Sequence, residues 1–198
     1  MYLILDTETN GLPDSSGLSY GVYPDYKDLD KYNNARVIQL SYMICDNNLE
    51  EKELVDHIIY AENFEINNSE FHNITNEISK ADGNSFDLVI NLFYNKLKNC
   101  EKIVAHNINF DIGVIKSELY RRKLYHIIIE LEKKELICTV KKFKYVVKAK
   151  NRYNKIKDPS LKELYNFAFN RELENAHNSK YDVINLHAAV KKITNGSL

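Results

Sequence analysis

Tyr2-Leu3-Ile4-Leu5-Asp6-Thr7-Glu8-Thr9-Asn10-Gly11-Leu12 decides the reading of this chain. The apolar run Tyr2 to Leu5 is cut off by an acid and then by polar and glycine residues, so Tyr2 to Asp6 reads as a short strand. Side chains two apart on a strand point to one face, and Asp6 and Glu8 therefore present two carboxylates side by side where the strand ends. Adjacent anions repel. Such a pair is stable mainly with a cation between its members, and oxygen-only ligands suit hard ions such as magnesium or manganese. Two acids at a solvated strand end would look the same, and a lone Asp-x-Glu does not choose between the readings.

Working outward, Val37 to Asp46 and Glu53 to Tyr60 read as two further strands. Between the first two lies Asn10 to Ala35, rich in Gly, Pro, Asp, Ser and Tyr and without a regular period, which predicts a long loop beside the first strand. Phe86, Val89, Ile90, Phe93 and Leu97 form the stripe of a helix lying on a sheet. Lys102 to Ala105 reads as a strand. Phe110 to Arg122 repeats the helical stripe and ends in cations, which the helix dipole favours. Glu135 to Cys138 reads as a short strand, Leu161 to Phe169 as a helix, and Tyr181 to Thr194 as a last helix stopped by Asn195 and Gly196. Strands come first and then alternate with helices. The expectation is an α/β fold, a mixed central sheet flanked by helices, in one domain over residues 1–198.

The bulk numbers agree with a globular protein: 198 residues, 44% hydrophobic and 28% charged. The apolar runs Tyr2 to Leu5 and Ile127 to Ile129 are too short to cross a bilayer, so no membrane association is expected. An acid at position 6 precedes any secretory apolar region, and three scattered cysteines, Cys45, Cys100 and Cys138, fit neither a disulfide framework nor a zinc site; an intracellular setting is expected. A net charge of -1 gives no global attraction to nucleic acid, so such a partner must be held by local charge or by metal ions. Lys141 to Lys157 holds eight basic residues and no acid, with Phe143, Tyr145 and Tyr153 among them. It reads either as a track for phosphates and bases or as a solvated lysine-rich loop.

Two more stretches carry acids. His106-Asn107-Ile108-Asn109-Phe110-Asp111 follows a strand and opens a helix, so Asp111 sits where the dipole favours a carboxylate. His177-Asn178-Ser179-Lys180-Tyr181-Asp182 runs into the last helix, and Ser179 with Asp182 has capping-box spacing. Each has a purely structural explanation.

Taken in order, the three stretches resemble the DEDDh exonucleases, which include the proofreading subunit of bacterial DNA polymerase III, RNase T and oligoribonuclease. The first motif is similar to Asp6 to Leu12, the second to His106 to Asp111, the third to His177 to Asp182. His72-Asn73-Ile74-Thr75 and Ile137-Cys138-Thr139 resemble shorter family segments. A sister group has tyrosine four residues before the last aspartate; Asn178 stands there, and His177 one place earlier indicates the histidine type. Alanine is frequent in the family where Ser179 and Val183 stand, and the loop from Asp14 to Asn34 is longer than usual.

The resemblance implies an RNase H-like fold and metal-dependent 3′-to-5′ hydrolysis of a nucleic acid, most readily single-stranded DNA, with RNA trimming by the same chemistry and an inactive binding module as alternatives. It implies two magnesium or manganese ions held by Asp6, Glu8, Asp111 and Asp182, with His177 as general base. It implies substrate contacts from Thr9, Asn10, Gly11, Leu12, His106, Asn107 and Phe110. A polymerase or other replication or repair protein is the implied partner class. The motifs specify neither the sugar nor the pathway.

Overall fold

Four consecutive apolar residues allow a strand to be covered on both faces, and in the computed structural model, which describes residues 1–173, 178–196 and 198, that strand lies at the centre of the sheet. The strands are β1 (Tyr2–Thr9), β2 (Val37–Cys45), β3 (Glu51–Ile58), β4 (Lys102–Ala105) and β5 (Glu135–Cys138), in the order β3-β2-β1-β4-β5. β1, β2 and β3 pair antiparallel, whereas β4 and β5 run parallel to β1, so the sheet is mixed as the sequence predicts. The helices are α1 (Ser69–His72), α2 (Asn76–Asp82), α3 (Phe86–Leu97), α4 (Ile108–Arg121), α5 (Tyr125–Glu132), α6 (Thr139–Val147), α7 (Leu161–Phe169) and α8 (Ser179–Thr194).

Alternate residues of β1 feed two cores. Leu3 and Leu5 pack with Tyr42, Phe93, Ile115 and Ile127, beneath α3, α4 and α5. Tyr2 and Ile4 pack with Met43, Phe143, Leu164 and Val183, beneath α6, α7 and α8. Each fully buried aliphatic side chain contributes roughly 1.5–3 kcal/mol, more than a typical hydrogen bond's net ~1, so packing on both faces is what holds the sheet.

The elements extend the sequence reading in places. β1 reaches Thr9 rather than Asp6, placing Asp6 and Glu8 within regular strand; β2 ends at Cys45, and β3 runs Glu51–Ile58. α4 starts two residues before Phe110, and α8 two before Tyr181. The long loop after β1 contains one 3-10 turn, Leu29–Tyr32, whose Tyr32 is fully buried and donates its hydroxyl to the Pro24 carbonyl at 2.8 Å. The basic stretch is not simply a loop. Thr139 and Phe143, four apart, point inward and make its first half helix α6, so Phe143 belongs to the core and offers no face to a base.

Strand direction positions the site. β1, β4 and β5 are parallel and send their carboxyl ends to one edge of the sheet, where ligands gather in open α/β folds. β1 outruns its neighbour there: the last β1–β4 pair is Ile4 with Val104, and β4 stops one residue later.

Candidate active site

Asp6 and Glu8 lie on the α8-covered face of β1, opposite Ser41 and Gln39 of β2. Asp182 stands in the first turn of α8. Ligand oxygens of Asp6, Glu8 and Asp182 all lie within 4.8 Å of one another, so residues 174 positions apart in the chain share one site.

A polar ladder sets the position of α8. Asp56 of β3 accepts from the Gln39 amide at 2.8 Å and from the Ser41 hydroxyl at 2.7 Å. Having given its proton to Asp56, Ser41 accepts from the Ser179 hydroxyl at 2.5 Å, and the Ser179 N–H donates to Gln39 Oε1 at 3.3 Å. Ser179 is fully buried, and its Oγ also lies 3.2 Å from the Asp6 carbonyl. The capping box expected from Ser179 and Asp182 does not form. Asn178 is the cap residue, Ser179 is already helical, and its side chain turns to the sheet.

Asp111 reaches the cluster from the other side. It is 2% exposed, in the first turn of α4, and its Oδ1 accepts from the Thr7 N–H at 3.1 Å and the Thr7 hydroxyl at 2.9 Å. That N–H points to the edge left open where β1 runs past β4, so the carboxylate completes the strand's hydrogen bonding rather than capping its own helix. Burial, followed by the charges of Asp111, Asp182 and Glu8, holds Asp6 well above the usual carboxylate range. Burial, with Asp182 and Asp111 adding to it, pushes Glu8 up to about 8. Asp111 rises to about 7 by burial, against the lowering effect of its Thr7 bonds. The cluster favours protons or cations over free negative charge.

Beside Glu8 opens a pocket of about 430 Å³, lined by Thr7, Glu8, Gly11, Leu12, Phe71 and Phe110 among others. Leu12 is 73% exposed and Phe71 61%, so neither is a core residue. Asn68 and His72 form the pocket's far wall. His72 Nδ1 accepts from the Ile74 N–H at 3.1 Å, so its protonated Nε2 donates to Asn68 Oδ1 at 3.1 Å, and the Asn68 amide donates to the Thr9 carbonyl at 3.3 Å. Asn10 adds a second staple, donating to the Glu65 carbonyl and accepting from the Asn67 N–H, each at 2.9 Å. Thr9 is buried and donates its hydroxyl to the Gly11 carbonyl at 2.7 Å. A side chain on Gly11 would stand 3.0 Å from the Asn34 carbonyl, so the close approach that favours glycine there is to the returning loop. Phe71, Asn68, His72 and Thr7 are not among the site residues expected from sequence; Thr7 lies inside the first motif, and the similarity at His72 to Thr75 is the signal near the others.

His106 is engaged within the protein. Pro159 O accepts from Nε2 at 3.0 Å, which leaves Nδ1 to accept from the Thr139 hydroxyl at 2.9 Å. Burial lowers the ring to about 4 and keeps it neutral. It pins β4 to the start of α6 and lines a cleft together with Asn107. Asn107 adopts left-handed backbone at φ 69° ahead of α4 and donates to the Tyr23 hydroxyl at 2.8 Å. Phe110 packs on the Tyr23 ring, centroids 5.6 Å apart. His177 lies outside the described residues.

With this geometry established, comparison with known proteins is informative. The RNase T model, described as Exonuclease, matches residues 3–190. No curated protein matches the sequence significantly. Among solved structures, Exonuclease X in complex with 5′ overhanging duplex DNA is 18% identical, with a TM-score of 0.62, and the match covers 98% of this chain and 92% of that one. E. coli Exonuclease I in complex with a dT13 oligonucleotide is 15% identical, with a TM-score of 0.73; 98% of this chain is covered but only 40% of that chain. At these identities the structural likeness establishes the fold.

Proposed function

The chain belongs to the DEDDh family of 3′-to-5′ exonucleases, hydrolases of nucleic-acid phosphodiesters, and we propose that it releases nucleoside 5′-monophosphates from the 3′ end of single-stranded DNA. One observation carries the reading: three carboxylates from opposite ends of the chain converge, with a fourth packed against β1 beside them, next to a pocket whose exposed walls are Leu12 and Phe71. The DNA named with both solved neighbours supports the choice of sugar. The single domain expected over residues 1–198 is the working unit.

The family is divalent-metal dependent, and the donor set fits, since clustered, desolvated carboxylates are hard oxygen ligands that resist shedding their protons without a cation. Asp6, Glu8 and Asp182 would hold the cations, with Asp111 supporting the second of a pair of magnesium or manganese ions. Bound divalent ions supply neutralisation of the phosphoryl oxygens and a more acidic water. The terminal base sits between Leu12, Phe71 and Phe110, which exclude water from it and fix the last phosphodiester over the carboxylates. Backbone of Thr9, Asn10 and Gly11 borders the nucleotide, while Asn107 fixes Tyr23 and His106 fixes β4 to the start of α6, both along the cleft that leads from the pocket. His177 takes the proton of the attacking water as the new P–O bond forms and the bond to the 3′ oxygen breaks.

The test is digestion of single-stranded DNA and RNA, labelled at either end, with magnesium, manganese or a chelator. Stepwise loss from the 3′ end of DNA, abolished by chelation, is expected. Faster digestion of RNA would overturn the substrate; 5′-end digestion or indifference to the chelator would overturn the mechanism.

A further inference from the structure

Two stretches are left without a task by the carboxylates and the terminal pocket: the basic segment 141–157 and the loop 14–34. Both reach a cleft of about 520 Å³, the loop through Tyr20, Gly21 and Tyr23 and the basic segment through Lys157, with His106, Asn107 and Asp158 also lining it, the last paired with Lys144. Topology brings them there, because the segment follows β5, whose carboxyl end shares the sheet edge with those of β1 and β4. The cleft continues from the terminal pocket: Phe110 lines the pocket, Tyr23 lines the cleft, and their rings are in contact.

The loop at the cleft and the hairpin that starts from it present chemistry to water. On the loop side, Val22 N–H donates to the Ser19 carbonyl at 3.0 Å and closes a turn around Tyr20 and Gly21. Gly21 supplies the positive φ of 75°, and Tyr20 is left 94% exposed at the corner. On the other side only Lys157 of the basic segment lines the cleft, and from it residues 149–157 fold back on themselves through Lys157 N–H to Ala149 O at 2.8 Å and Asn151 N–H to Lys155 O at 2.9 Å. This hairpin holds up Arg152 and Tyr153, the guanidinium 4.7 Å from the ring centre and Tyr153 66% exposed. Lys144 and Lys157 are tied to Asp158 and Glu163. Among the described residues, no carboxylate lies within ion-pair distance of the other six cations of the segment, in a chain whose 27 basic and 28 acidic residues otherwise balance.

We propose that Tyr20 and Tyr153, with Lys148, Lys150 and Arg152, form a track that holds the single strand on the 5′ side of the terminal nucleotide. This rests on the nuclease reading above. Cations spaced along a hairpin follow a phosphate backbone, and exposed tyrosine rings accept any base, so the track binds without regard to sequence. An acidic protein would use the cations but would leave the two exposed rings, Tyr20 and Tyr153, without a role.

The test compares a long substrate with a minimal one. Wild type, Lys148→Ala/Lys150→Ala/Arg152→Ala and Tyr20→Ala are assayed on a dT oligonucleotide of about 20 nucleotides, a length exceeding the ~4–16 that one site occupies, and on the p-nitrophenyl ester of thymidine 5′-monophosphate, which fills only the terminal pocket. The triple variant should raise KM for the oligonucleotide roughly tenfold or more at low salt, and reduce the log–log salt slope of binding by about 2, with kcat and turnover of the ester unchanged. Tyr20→Ala should raise the oligonucleotide KM roughly tenfold with little change in that slope. An unchanged oligonucleotide KM in both variants would overturn the track and leave the surface to an acidic protein. Equal losses on both substrates would also overturn it, as damage to the fold or the pocket. If wild type hydrolyses neither substrate, the nuclease reading fails and the track with it; if wild type hydrolyses both, that reading stands whatever the variants do.

Discussion

At the scale of single residues, the site is a problem in charge. Glu8 keeps its proton to about pH 8 in the folded, metal-free protein, whereas the unfolded chain loses it near 4.5. Between those values the folded state binds more protons, so stability falls as pH rises. His106 works in the opposite sense, since its pKa is depressed to about 4 and the stability it contributes is lost as pH falls below the unfolded value of 6.5. The window from about 6.5 to 8 therefore isolates the carboxylates. The melting temperature of metal-free protein should fall across it, and magnesium should raise that temperature more at the upper end, where bound cations replace the protons. A metal-induced shift that is the same at both ends would count against a ligand role for Glu8. For His177, replacement by alanine should lower kcat by about a hundredfold to ten-thousandfold while the melting shift on adding metal is retained. Turnover near wild type would remove the histidine from the mechanism.

At the scale of elements, the carboxylate cluster depends on how two helix starts are fastened to the sheet. α4 is held by Thr7 and Asp111, and α8 by Ser179, Ser41, Gln39 and Asp56. Thr7→Val keeps the backbone donor to Asp111 but leaves a buried carboxylate oxygen short of a hydroxyl, and should cost about 1–3 kcal/mol of stability, read from urea unfolding. Ser179→Ala should cost less, about 1 kcal/mol, because Ser41 still gives its proton to Asp56. Equal costs would show that the Thr7 hydroxyl is not the one satisfying a buried charge. The structural alternative for Ser179 and Asp182, a capping box, is not the one adopted. Local sequence admits a capping box, but Ser41, 138 residues away, competes for the hydroxyl and the buried bond prevails.

At the scale of the whole molecule, one ion network ties the entry to β2, the segment after β3, and helices α3 and α4. Glu118, almost fully buried, receives Arg36 and, at 2.7 Å, Arg122; Arg122 also reaches Glu62 at 3.1 Å and Asp87 at 3.2 Å. Glu118→Ala leaves the shielded Arg36 guanidinium without its carboxylate, while Arg122 keeps Glu62 and Asp87, and should cost about 3 kcal/mol, measurable by denaturant unfolding. A loss below 1 kcal/mol would mean that water already screens the pair.

Sequence alone determined the α/β class, the main strands and helices that carry the acids, and the three motifs with their family resemblance, because apolar periodicity and a two-residue strand repeat are local properties that the chain displays directly. Only the tertiary structure decided that Asp6, Glu8 and Asp182 share one site, that Asp111 serves β1 rather than its own helix, that both ring nitrogens of His106 are engaged within the protein, and that Phe71 and Tyr20 are exposed. Those outcomes depend on which distant partner claims each buried donor and each apolar face, and that competition is settled only when the whole chain has packed.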